Sequence, residues 1–136
     1  MPMLQIEVPT EAVELTFAAG LPGFPNDHHF VLEPWGAPDS PFATLVSTDN
    51  ADTGFVVVSP FVFYPDYEFD LPDETAERLG LDDPSDVVVL SVVTVGERSQ
   101  ESTINLLGPI VVNRRTHEAC QAVLDGTHDV RAPLAR

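Results

Sequence analysis

Val87-Val88-Val89-Leu90-Ser91-Val92-Val93-Thr94-Val95 is the longest apolar-rich run in the chain. Its β-branched content and its length predict a central strand buried on both faces. Ser91 and Thr94 interrupt it, and it is about half the length that a membrane-spanning helix needs, so no span is expected. Working towards the N-terminus, Phe55-Val56-Val57-Val58 is a second apolar run, closed by Pro60 because proline cannot donate to a sheet ladder. Phe42 to Ser47 and Phe30-Val31-Leu32 read as shorter strands. Val13, Leu15 and Phe17 alternate with Glu14 and Thr16, and Leu4, Ile6 and Val8 alternate with Gln5 and Glu7, the period-two pattern of half-buried strands. Gly20-Leu21-Pro22-Gly23-Phe24-Pro25-Asn26 forces turns between the second and third of these.

On the C-terminal side, strands are expected at Thr103 to Leu107, Ile110 to Val112 and Gln121 to Leu124. One stretch is helical by pattern, Leu71-Pro72-Asp73-Glu74-Thr75-Ala76-Glu77-Arg78-Leu79-Gly80. Pro72 suits the first helical position, Asp73 and Glu74 suit the first turn, where the helix dipole favours acids, and Gly80 suits the stop. About nine strands and one short helix in 136 residues predict a mostly β fold, a small antiparallel barrel-like single domain spanning 1–136. At that length roughly two thirds of the unfolded surface can be buried, and 43% apolar residues supply a core without staples.

Charge is distributed unevenly. The net charge is −16, there is no Lys, and residues 66–86 carry nine acids against one Arg, half of the total. Residues 1–65 carry eight acids and no base, and residues 87–136 balance at five each. Such a field repels nucleic acid, whose binding is driven by cations that displace counterions from phosphates. It attracts and orients a basic protein partner. Cys120 is the only cysteine, which excludes an intramolecular disulfide and fits a cytoplasmic location. The N-terminus has neither the basic nor the continuous apolar region of a signal peptide.

The acids invite a metal reading. Counted from Asp66, carboxylates fall at positions 1, 3, 5, 9 and 12, as in an EF-hand loop, but Leu71 stands where the sharp turn needs Gly and Pro72 to Leu79 reads as helix. On an extended strand, Asp66, Glu68 and Asp70 would share one face and Tyr67 and Phe69 the other, an acidic edge above a buried one. That edge, continued by Asp73, Glu74, Glu77, Asp82 and Asp83, is the candidate partner-binding face. Asp27-His28-His29 lacks a third ligand at metal spacing. His117 precedes Cys120 by three residues, a spacing that establishes no catalytic arrangement, and no nucleophile elbow, phosphate loop or H-E-x-x-H occurs. Neither enzyme activity nor a cofactor or metal is expected.

Four strings remain that serve no chemistry. They are Gly20-Leu21-Pro22-Gly23-Phe24; Pro41-Phe42 with Leu45, Ser47 and Asp49; Phe55 and Pro60 with Pro65-Asp66-Tyr67-Glu68; and Thr103-Ile104-Asn105-Leu106-Leu107-Gly108-Pro109-Ile110-Val111-Val112-Asn113. In order and spacing they resemble the FliW family of flagellar assembly factors from about Ile6 to Arg131, with Ala119 where the family usually carries Gly. Their local chemistry specifies the fold. Gly20 and Gly23 serve tight turns beside Pro22 and Phe24, Asn105 and Asn113 bond backbone at strand ends, and Pro109 separates two strands.

The resemblance implies a partner switch. Proteins of this family bind newly made flagellin and also CsrA, an RNA-binding translational repressor; when flagellin is exported, the freed factor takes up CsrA and flagellin translation resumes. An RNA-binding repressor is basic on and near its RNA face, so an acidic surface is its expected complement. The chain is expected to be a monomer when free and to bind neither nucleic acid nor membrane directly. Two other readings are an export chaperone that takes flagellin only, and a metal-assisted hydrolase built on the clustered carboxylates.

Overall fold

In the computed structural model, residues 12–18, 20, 27–35, 41–50, 53–69, 71–94, 102–124 and 128–133 are described. They form nine strands and one α-helix. The strands are β1 (Val13–Thr16), β2 (His29–Pro34), β3 (Phe42–Ser47), β4 (Gly54–Val58), β5 (Val87–Thr94), β6 (Thr103–Ile104), β7 (Ile110–Asn113), β8 (Glu118–Gln121) and β9 (Ala132–Pro133). The helix α1 spans Asp73–Leu79, and Pro60–Val62 and Pro84–Asp86 form single 3₁₀ turns. The expected strand over Leu4, Ile6 and Val8 lies outside the described residues. The strand at β9 was not legible, because two residues are too few to show a period.

Strands β1 to β4 form an antiparallel meander, β4 pairs β5, β5 pairs β7, and β7 pairs β8. β8 returns to β1 and closes a seven-stranded barrel. The closing seam departs from the antiparallel expectation. It is parallel and registers at a single pair, Thr16 opposite Glu118, with the Thr16 amide donating to the His117 carbonyl at 2.9 Å. Every other pairing among the described residues is antiparallel, four of them between consecutive strands joined as hairpins or short connections, whereas β1 and β8 come from distant parts of the chain, so no hairpin dictates their direction.

β5 is the hub. Its residues 87–90 pair with β7, 91–93 with β4, and 93–94 with β6, which in turn carries β9. Alternate residues of β5 enter two different cores, as its unbroken apolar run demands. Val88 and Leu90 face the barrel interior, filled by Leu15, Phe30, Leu32, Ala43, Leu45, Val57, Ile110, Val112 and Ala119 from the other six ring strands. Val87, Val89 and Val93 face outward into a second core with Val111, Cys120, Tyr67, Phe69, Leu71, Leu79 and Leu81. A covering layer drawn from residues 61–69 and 71–81 therefore seals the outer face of β5, β7 and β8.

Two strand bounds move relative to the sequence pattern. Thr103 to Leu107 pairs only over Thr103–Ile104, because the Asn105 side chain accepts from the Leu107 and Gly108 amides at 3.0 and 2.8 Å and turns the chain. β8 begins at Glu118 and ends at Gln121, whereas Ala122 and Leu124 bond singly to the Pro109 and Leu107 carbonyls. Pro72 is the cap of α1 rather than its first residue, with φ −57° and ψ 137°. Gly80 ends α1 at φ +64°, the left-handed geometry that glycine adopts without strain, and its amide reaches back to the carbonyls of Ala76 and Glu77.

Candidate functional site

The covering layer carries six acids against one Arg, and its apolar residues decide which way the described acids point. After the 3₁₀ turn at Pro60–Val62, the Tyr67 amide donates to the Tyr64 carbonyl at 2.9 Å, so residues 64–67 form a turn with Pro65 at its second position. This corrects the expected strand over residues 66–70: Asp66 lies in the turn, and Tyr67 to Phe69 are irregular. Proline's missing N–H and fixed φ disfavour a ladder there. Asp70 lies outside the described residues.

The alternation survives without the strand, because two aromatic anchors impose it. Tyr67 and Phe69 are buried at 5.4 Å between ring centroids, and Tyr67 also packs on Phe61 at 5.7 Å. The Tyr67 hydroxyl donates to the Leu106 carbonyl at 2.7 Å, and burial pushes the phenol pKa well above its usual value. Asp66 and Glu68, between and beside these anchors, are exposed. On α1 the same division holds at helical spacing: Thr75 and Leu79 are buried, whereas Asp73, Glu74 and Glu77 are exposed.

Asp82 and Asp83 are also exposed, and Asp83 has a structural task as well. Its side chain accepts from the Ser85 amide at 3.0 Å, the first cause of its carboxyl pKa being lowered. The layer holds few internal counter-charges. Arg78 meets Glu74 at 3.1 Å one helical turn away, a pair too exposed to contribute much. Asp86, which the charge reading did not single out, meets Arg115 at 3.6 Å from the β7–β8 turn. Seven acids named from sequence as a partner face are thus exposed: Asp66, Glu68, Asp73, Glu74 and Glu77 on the covering layer, and Asp82 and Asp83 just after it.

Sequence reasoning missed the depression at one end of this layer. Tyr64, Pro65, Asp66, Tyr67, Glu68, Leu106 and His128 line an open cleft of about 420 Å³. The His128 and Tyr67 rings form a T-shaped pair with centroids 5.3 Å apart, and the Tyr64 hydroxyl donates to the Pro133 carbonyl. Leu106 and His128 lie far along the chain from residues 64–68, so no local spacing could have joined them.

The turn residues hold the layer's support. Asn113 is fully buried; its side chain donates to the Leu79 carbonyl at 2.8 Å and accepts from the Arg115 and Thr116 amides at 2.9 and 3.3 Å. One residue thus ties the end of β7 to the end of α1. Gly108 gives the Gln121 side chain its place: a Cβ there would stand 2.7 Å from Gln121 Nε2 and 3.3 Å from Asn105 Nδ2, so the Gln121 amide, which donates to the Gly108 carbonyl, would have to shift. Pro109 is buried just before β7. Gly20 adopts φ +66° and its amide donates to the Phe17 carbonyl, while Pro22, Gly23 and Phe24 lie outside the described residues.

Across the barrel, Ser47 Oγ accepts from the amides of Asp49 and Asn50, and Asp49 accepts from the amides of His28 and His29 at 3.0 and 3.3 Å. Those two amides hold the Asp49 carboxyl below the usual aspartate range. His28 and His29 therefore belong to a turn-to-turn clamp. Cys120 is buried in the second core, and burial raises its thiol pKa, the opposite of what a nucleophile needs. Among the described residues no three His, Cys, Asp or Glu side chains converge on a metal site, and no helix is long and apolar enough to cross a membrane.

Comparison with known proteins assigns this architecture. The family model for FliW protein matches residues 2–134. The chain belongs to the FliW family. The flagellar assembly factor FliW of Bacillus subtilis (strain 168) is 42% identical over 131 residues, covering 96% of this chain and 90% of that protein. The flagellar assembly factor FliW of Exiguobacterium sp. (strain ATCC BAA-1283 / AT1b) is 39% identical, covering 96% of this chain and 88% of its own length. A crystal structure of the flagellar assembly factor FliW superposes with a TM-score of 0.85 at 33% identity, over 90% of this chain and 86% of that one. The barrel and the single helix are those of the FliW fold.

Proposed function

We propose that this FliW family member is a cytoplasmic flagellar assembly factor that binds flagellin and the translational regulator CsrA, and that by holding CsrA it relieves repression of flagellin translation. The observation that supports this reading is the sorting of the covering layer and the two residues after it: aromatic and aliphatic residues are buried in the second core, and seven acids are exposed. A surface of one sign steers a basic partner and raises its association rate. It also keeps the factor itself off RNA, so the repressor is drawn away from its message without a competing protein–RNA contact.

Size-exclusion chromatography of the chain mixed with CsrA, with flagellin, and with both tests this directly. The reading predicts a complex with each partner alone, and release of CsrA when flagellin is added in excess. A complex with flagellin but none with CsrA would leave an export chaperone. No complex with either would contradict the reading.

A further inference from the structure

We propose that the cleft between Tyr64 and His128 is a receptor for one arginine side chain of a partner protein. This rests on the proposed function in taking the partner to be basic, and adds the point of contact. The walls and floor are apolar or aromatic: Tyr64, Pro65, Leu106 and the buried ring of Tyr67. The rim carries two exposed carboxylates, Asp66 and Glu68, and among the described residues neither makes an ion pair. An opening of about 420 Å³ has room for a guanidinium and its methylene stem.

The chemistry favours arginine over other occupants. A guanidinium is planar and weakly hydrated, stacks on aromatic faces, and offers forked donors that match a carboxylate. A neutral apolar side chain would leave Asp66 and Glu68 facing it uncompensated, and an acidic one would be repelled. Lysine shares the charge but not the plane or the fork, so it ranks second. The site is prepared in advance. The Tyr67 hydroxyl is committed to the Leu106 carbonyl and its ring packs at 82° to that of His128, so the ring does not need to reorganise when a ligand arrives.

The test titrates the ¹⁵N-labelled full chain with the capped tripeptides Ac-Gly-Arg-Gly-NH₂, Ac-Gly-Lys-Gly-NH₂ and Ac-Gly-citrulline-Gly-NH₂, following amide shifts. Citrulline keeps the shape of arginine and removes the charge. The proposal expects saturable shifts at Tyr64, Asp66, Tyr67, Glu68, Leu106 and His128, with citrulline about tenfold weaker than arginine and lysine between them. Asp66→Asn and Glu68→Gln, both at exposed positions that leave the core intact, should each weaken arginine by about threefold. Equal shifts for arginine and citrulline, shifts centred on α1, or indifference to both substitutions would overturn it. Because the titration needs neither CsrA nor flagellin, it reads the cleft even if those partners fail to bind. Conversely, full CsrA binding by a chain whose cleft ignores arginine would reject the cleft and leave the proposed function standing.

Discussion

Single residues carry several of the fold's decisions. His117 is the one non-glycine among the described residues with positive φ, at 65°, and it stands where the β7–β8 turn meets the closing seam. An L side chain in that conformation is strained, and glycine is not. His117→Gly should therefore raise stability by about 0.5–1 kcal/mol in thermal or urea unfolding, and an unchanged or lower midpoint would show that the imidazole contributes more than the strain costs. Asp49 offers a pH test. Its folded carboxyl is held below the unfolded value by the His28 and His29 amides, so the folded chain binds fewer protons there. The stabilisation is complete above the ordinary aspartate pKa near about 3.9 and is lost as pH falls through the lower folded value. Asp49→Asn should flatten the acid limb of a stability–pH curve and leave its neutral-to-basic limb parallel to that of the parent.

At the scale of elements, the covering layer shows both the reach and the limit of sequence reading. The period-two alternation of β1, the continuous apolar runs of β4 and β5 and the Pro72-to-Gly80 helix pattern were legible, because each is a local pattern that survives in the fold. The in-and-out alternation at residues 66–69 was legible too, but its cause was not: the sequence pattern implies a ladder, whereas Tyr67 and Phe69 are held by the second core and by the Leu106 carbonyl. Likewise the acids could be placed on one face, but the cleft could not be seen, since its two sides are brought together only by the sheet. Leu79 tests how firmly the layer is seated. It is 3% exposed in the second core, and its carbonyl accepts from Asn113. Leu79→Ala should cost about 2–5 kcal/mol in urea unfolding; a cost under about 1 kcal/mol would mean that α1 is not docked on β8.

Over the whole molecule, two cores share one strand. The barrel interior is closed by a seam of a single residue pair, while the second core uses the opposite face of β5, β7 and β8 to mount an acidic layer. The division explains how residues 66–86 can carry half of a −16 charge: Tyr67, Phe69, Leu71, Leu79 and Leu81 anchor the segment in the second core, and the exposed carboxylates of Asp66, Glu68, Asp73, Glu74, Glu77, Asp82 and Asp83 stay in water, where their mutual repulsion is screened. It also separates the two supports of the functional account. The turns and strand ends that place the chain in the FliW family shape the barrel and the mount, whereas partner capture is assigned to the charged outer side. Calorimetric titration of CsrA into the chain, and into a variant carrying Asp66→Asn, Glu68→Gln, Asp73→Asn, Glu74→Gln and Glu77→Gln, tests that assignment most directly when each is run at several salt concentrations. The account predicts that the parent binds with an affinity that falls as salt rises, and that the variant binds at least about tenfold more weakly with a flatter salt dependence. Equal affinity and equal salt dependence in the two would contradict it.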